Sequence, residues 1–289
     1  MRNFFIDELI LATQKNKNIV LLVNDLGFGV IEKFVKKFPN NYFNVGVSEQ
    51  SMIGYAAGLA AAGKHVFVYS IANFPTFRCA EQIRNDVDYH NFSVTIVSVG
   101  AGVGYGNLGY THHALQDYAL MRSFPNTLIL SPGDIMELRS CVRYIIKNPQ
   151  PSYLRLDKTY NYKIHTKLPK VSPGKWIKVL GNNKEKKIIY LTTGAVIDYV
   201  KKKFFKKKNC SLYSLPIWGM KSKNKQHNFI KKYKKIIVVE DHFQDGGFQS
   251  WINESLNNKN CKTTIISKSI NSSVVNKVGS KEYLMNYLK

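Results

Sequence analysis

Apolar positions in the first 157 residues form short continuous runs separated by stretches of helical spacing. The runs NIVLLVND, HVFVYSI, SVTIVSV, TLILS and SYLRL have the length and β-branched content of strands. Between them, IEKFVKKF, the small-residue stretch after Glu49, TFRCAEQIRNDVDYH, ALQDYALMRSF and IMELRSCVRYII read as helices. Continuous apolar strands alternating with helices predict a parallel sheet covered on both faces. A shorter alternation follows, with strands KIIYLTT, CSLYSL, KIIVVE and TTIIS and helices starting near Ala195, Asn224 and Gly247. The stretch 159–186, with Pro169, Pro173, Gly174 and many lysines, reads as a linker. The expectation is an α/β protein with one unit over 1–158 and a smaller α/β unit over 187–289.

Composition narrows the class. A chain of 289 residues suits one large or two medium domains. No apolar run is long enough for a bilayer, and Asp7 and Glu8 inside the first apolar pattern argue for an amphipathic helix rather than a signal peptide. Cys79, Cys141, Cys210 and Cys261 are scattered, as expected of reduced thiols in a cytoplasmic protein without a metal site. The net charge of +23 is unevenly spread. Residues 1–157 hold 14 Lys+Arg against 12 Asp+Glu, whereas 158–289 hold 28 against 7. The excess is nearly all lysine, as in KKKFFKKK and KKYKK, without interleaved arginines. That pattern reads as a solvated basic surface and gives no nucleic-acid motif.

Four local features carry candidate chemistry. Glu49 follows Ser48 at the mouth of a segment of small and apolar residues. It reads either as a first-turn acid behind a serine cap or as a buried carboxylate acting on a ligand. GYGNLG, Gly104 to Gly109, matches G-x-G-x-x-G, but no helix pattern opens at its glycines and no acid stands about 20 residues on. The glycines instead suit a tight loop that brings His112 and His113 of THHAL towards a cleft. NFPTFR places Phe74 and Phe77 just after a strand, where core packing is the plainer reading.

Together, VGVSEQSMIGYAAGLAAAGKHVFVYS, FRCAEQIRNDVDYHN, GNLGYTHHALQDYALMRSFPNTLILSPGD and PSYLRL resemble, in order and spacing, the pyrimidine-binding domain of transketolase. KIIVVEDHFQDGGFQSWI resembles part of the transketolase C-terminal domain. The resemblance implies thiamine diphosphate as cofactor. It implies that Glu49 bonds N1′ of the aminopyrimidine and favours the tautomer that takes the C2 proton. Burial supports such a shared proton. It places Phe74 or Phe77 against the pyrimidine ring, His112 at substrate hydroxyls and His113 behind it. Asp25 matches an acidic position at the cofactor-side dimer interface, and Lys158 falls near an arginine that reads substrate phosphate.

The sequence also departs from that family. No G-D-G motif with a downstream Asn is present, so the diphosphate-binding half, with its Mg2+, is expected on a separate N-terminal subunit, in an α2β2 assembly. Asn107 and Leu108 stand where two acids are common, and a leucine cannot accept a hydrogen bond from a sugar hydroxyl. Lys158 keeps a charge but lacks the bidentate fork of arginine. A transketolase of a specialised sugar pathway is the expectation. The alternatives are a 2-oxoacid dehydrogenase β subunit, a deoxyxylulose phosphate synthase-like enzyme and a non-catalytic scaffold.

Overall fold

The computed structural model describes residues 1–158, 162–181, 188–204, 210–257 and 259–289. Parts of the stretch read as linker (159–161 and 182–186) and of the KKKFFKKK run (205–208) lie outside the described residues.

The first sheet has seven strands in the order β10-β5-β6-β4-β3-β1-β2. These are β1 (Ile19–Val23), β2 (Tyr42–Asn44), β3 (His65–Ile71), β4 (Val94–Val99), β5 (Leu128–Leu130), β6 (Ser152–Leu156) and β10 (Ile217–Trp218). All pairings are parallel except β10 with β5. The apolar runs explain the layering. Along β1, Val20 and Leu22 enter one core cluster while Ile19, Leu21 and Val23 enter another on the opposite face. Both faces are dry, as continuous apolar strands require.

The second sheet runs β12-β11-β8-β9-β7, from β7 (Ile177–Leu180), β8 (Ile188–Thr192), β9 (Cys210–Ser214), β11 (Lys235–Val239) and β12 (Thr264–Lys268). Only β7 pairs antiparallel. The linker expected over 159–186 is therefore partly wrong, since Ile177–Leu180 within it forms this edge strand. A four-residue edge strand whose positions are all only partly buried carries little sequence signal, because one partner strand satisfies it.

Two further differences have local causes. TFRCAEQIRNDVDYH is not one helix but short turns at Phe74–Phe77 and Ala80–Gln82, followed by a π-helical turn over Ile83–Asp88. Asp88, at the end of that turn, is buried and accepts hydrogen bonds from Asn126 N (3.0 Å) and Thr127 Oγ1 (2.7 Å). Strand β10 comes from the second half of the chain but joins the first sheet. It seats Trp218 against Tyr118, Phe248 and Trp251, at ring separations of 5.1, 5.1 and 5.2 Å.

A buried ionic cluster fastens the stretch before β7 to the first sheet. Asp134 caps the helix Ile135–Lys147 by accepting from Glu137 N, and its other oxygen accepts from Ile164 N and His165 N. Burial pushes the Glu137 carboxyl up to about 7. Burial lowers the neighbouring His165 but is outweighed by its Asp134 hydrogen bond and the nearby acidic charges, so its pKa is raised. Both folded values exceed the unfolded ones, so both contributions are present at low pH and fade as pH rises. Between about pH 4.5 and pH 7, Glu137 should therefore cost stability progressively, up to about 3 kcal/mol. Urea titrations across that window should give a flatter pH profile for Glu137→Gln than for the wild type. Parallel profiles would remove Glu137 from the pH response.

Candidate active site

Parallel strands collect their following loops at one edge, where α/β sheets usually bind ligands. Asp25 follows β1, Glu49 follows β2, Phe74 and Phe77 follow β3, His112 and His113 lie in the loop after β4, and Lys158 follows β6. Every candidate residue thus lies beyond the carboxyl end of a first-sheet strand.

Glu49 opens the helix Glu49–Ala61 and is only 5% exposed. Ser48 does stand at the N-cap with Glu49 in the first turn, but the Ser48 hydroxyl makes no cap bond and instead donates to Val45 O at 2.7 Å. Glu49 Oε2 accepts from Arg78 Nη1 at 3.0 Å, and Oε1 makes no hydrogen bond among the described residues. Arg78 also lies over the Phe74 ring, 4.4 Å from its centroid. Glu49 and Arg78 border an open depression of about 310 Å³, together with Val47, Ser48, Gln50 and Ser51.

Phe74 links this depression to the histidine loop. Its ring meets His112 edge-on at 5.2 Å. Asn73, just before it, donates to His113 O (2.6 Å) and Thr111 O (3.2 Å). Sequence pattern alone leaves Phe74 and Phe77 undivided. In the fold Phe74 faces His112, whereas Phe77 is 46% exposed on the surface. His112 Nδ1 lies 3.0 Å from Thr111 Oγ1, and partial burial lowers its pKa, so the ring favours its neutral form.

His113 is fully buried, and burial lowers its pKa. Its ring lies beside the Gly106 backbone without a well-formed hydrogen bond, and neither ring nitrogen has a partner among the described residues.

GYGNLG contains the tight 3-10 turn Gly106–Leu108, and a second such turn, Tyr110–His112, follows it. Gly106 is required by close approach, since a Cβ there would stand 2.5 Å from Gly279 O. Leu108 is 55% exposed, and Lys158 Nζ lies 4.3 Å from the Tyr105 ring centroid. Asp25 is exposed at φ 47° and exchanges two hydrogen bonds of 2.9 Å with Asn44. The structure therefore brings Glu49, Arg78, Phe74 and His112 into one chain of hydrogen bonds and ring contacts, whereas Asp25 bonds Asn44 and the Phe77 side chain is exposed.

Behind the histidine loop lies a cluster that local sequence motifs did not reveal. Arg155, fully buried on β6, pairs with Asp117 at 2.7 Å and Asp241 at 2.6 Å. It also donates to Ala114 O at 2.8 Å, and Tyr153 donates to Asp117 at 2.6 Å. The motifs SYLRL, LQDYA and VVEDH thus meet around one guanidinium. Their signal was an arginine inside a continuous apolar strand, which demands buried acids.

The transketolase pyrimidine-binding domain model matches residues 1–162, more than half of the chain. The chain belongs to the transketolase family. It is 33% identical over 259 residues to one subunit of an apulose-4-phosphate transketolase of Actinobacillus succinogenes, covering 88% of this chain and 82% of that protein. It is also 34% identical over 157 residues to a 6-deoxy-6-sulfo-D-fructose transketolase subunit of Clostridium sp., covering 54% of this chain and 49% of that one. A solved split gene transketolase, described as an inactive beta4 tetramer, shares the fold with a TM-score of 0.83 at 24% identity, over 99% of this chain and 92% of the other. Transketolase-type enzymes use thiamine diphosphate. The residues here fit one end of it: a buried carboxylate with a free oxygen, and an aromatic ring close by.

Proposed function

We propose that this chain is the C-terminal subunit of a split, thiamine-diphosphate-dependent transketolase, transferring a two-carbon ketol unit between sugars or sugar phosphates. The observation that carries the reading is Glu49, buried beside a depression that remains open to solvent. The cofactor supplies the carbanion chemistry that cleaves and forms the ketose carbon–carbon bond. Glu49 would hold the aminopyrimidine N1′ through a shared proton. Phe74 would pack on the ring, and neutral His112 would accept from or donate to a substrate hydroxyl. Arg78 fixes the Glu49 carboxylate and is itself half-exposed, so it can move when the cofactor enters.

A second chain would complete the site. The diphosphate and its Mg2+ would be held by a partner carrying those ligands, a reading supported by relatives named as a transketolase subunit and as a transketolase C-terminal section. Val47, Tyr55 and Phe77 are exposed apolar side chains on or near the Glu49 segment, as expected of a surface that a partner covers. No helix of the described chain is long and apolar enough to cross a membrane.

Leu108, exposed in the loop that carries His112, supports a sugar lacking the hydroxyl that an acid would bind there. The relatives named for apulose 4-phosphate and 6-deoxy-6-sulfo-D-fructose support a specialised sugar of that kind.

The test has two parts. Calorimetry with thiamine diphosphate and Mg2+ should show no micromolar binding to this chain alone and tight binding once a diphosphate-domain subunit is added. The assembled enzyme should turn over a ketose with an aldose and leave 2-oxoacids untouched. Tight binding by the lone chain would end the split-site reading. Turnover of a 2-oxoacid would transfer the chain to the dehydrogenase β subunits, and no turnover at all would favour a scaffold.

A further inference from the structure

The second sheet has its own topological switch. From β8 the chain steps to β9 on one side, then returns to β11 on the other, and both neighbours run parallel to β8. The loops after β8 and β11 therefore diverge, and a crevice opens between their carboxyl ends, where open α/β sheets bind ligands. A cavity of about 820 Å³ lies at this place. Ala195 and Val196, just after β8, form part of its wall, and Asp241, just after β11, forms another part. It shares no lining residue with the Glu49 depression.

The chemistry of the wall is specific. Tyr162, Tyr199 and Tyr283 offer three aromatic rings. Lys202 and Lys203 add cationic heads, with Lys203 Nζ 5.4 Å from the Tyr199 ring centroid. Asp198 is bound through one oxygen to Lys202 at 2.6 Å, while its Oδ1 is buried without a hydrogen-bond partner among the described residues. A buried acceptor left unpaired costs free energy unless a donor reaches it. The strong positive charge of residues 158–289 would draw anions towards this half of the chain.

We propose that this crevice binds a nucleoside phosphate. The rings would stack on a planar base, Asp198 Oδ1 would accept from an exocyclic amine or ribose hydroxyl, and the lysines would meet the phosphate. Such a site is separate from ketol transfer, and it stands or falls without the partner subunit.

The experiment is calorimetry on the full chain with ADP, adenosine and inorganic phosphate as probes. ADP should bind once per chain, at least tenfold tighter than either fragment. Asp198→Asn and Tyr283→Ala should each weaken ADP binding at least fivefold while leaving the melting temperature near that of the wild type. Tyr283 is exposed, so its variant keeps the test open if the other misfolds. Absence of saturable ADP binding overturns the proposal. So does ADP binding no tighter than phosphate, which would mark simple attraction to a basic surface, or binding that both substitutions leave unchanged.

Discussion

Glu49→Gln should lower ketol transfer by the assembled enzyme by about 10²–10⁴-fold, the usual contribution of a positioned proton-transfer group. The amide keeps the size and one acceptor of the carboxylate but cannot share a proton with the aminopyrimidine nitrogen. The fold should survive. Glu49 loses only its charge pairing with Arg78, whose side chain is 52% exposed, and an ion pair with so exposed a partner contributes little. Hydrogen–deuterium exchange at C2 of the bound cofactor, measured with the partner present, reads the step directly. Wild-type exchange in the variant would remove Glu49 from the mechanism, whatever happened to turnover.

Arg155→Met should destabilise the isolated chain by about 3–5 kcal/mol, the range found when one member of a buried ion cluster is removed. Methionine fills most of the space but leaves Asp117 and Asp241 buried with no positive charge between them. His242 cannot easily substitute, because burial lowers its pKa and its Nε2 stands 3.8 Å from Asp117. Urea denaturation should show a lower midpoint with an unchanged slope. A loss below about 1 kcal/mol would mean that water or a rearranged side chain takes over the role of the guanidinium. The effect bears on function as well as stability. Arg155 holds Ala114 O, which follows His113, so the position of the histidine loop depends on this cluster.

Much of this architecture could be read from the chain. The largely apolar strands HVFVYSI and SYLRL agree with β3 and β6 residue for residue, because strands buried on both faces read as near-continuous apolar runs, and Arg155, the charged exception, is buried between acids. Glu49 stood out for a related reason: a lone acid at the start of an apolar, small-residue helix needs a purpose. The glycines of GYGNLG announced a tight loop, and the loop is there.

The tertiary structure decided what local sequence could not encode. Only packing separated Phe74, against His112, from Phe77, on the surface, since two phenylalanines three apart look alike to any local rule. The roles of Arg78 and Asn73 depend on partners 29 and 40 residues away in the chain. Strand β10 is two residues long and exists only because β5, 87 residues earlier, offers it an edge. Arg155, Asp117 and Asp241 each read as ordinary charged residues within their own motifs. Long-range closure brings them together, and burial then makes them depend on one another. Hydrophobic periodicity is a local property and fixes the layers, whereas the pairing of buried charges is a property of the folded whole.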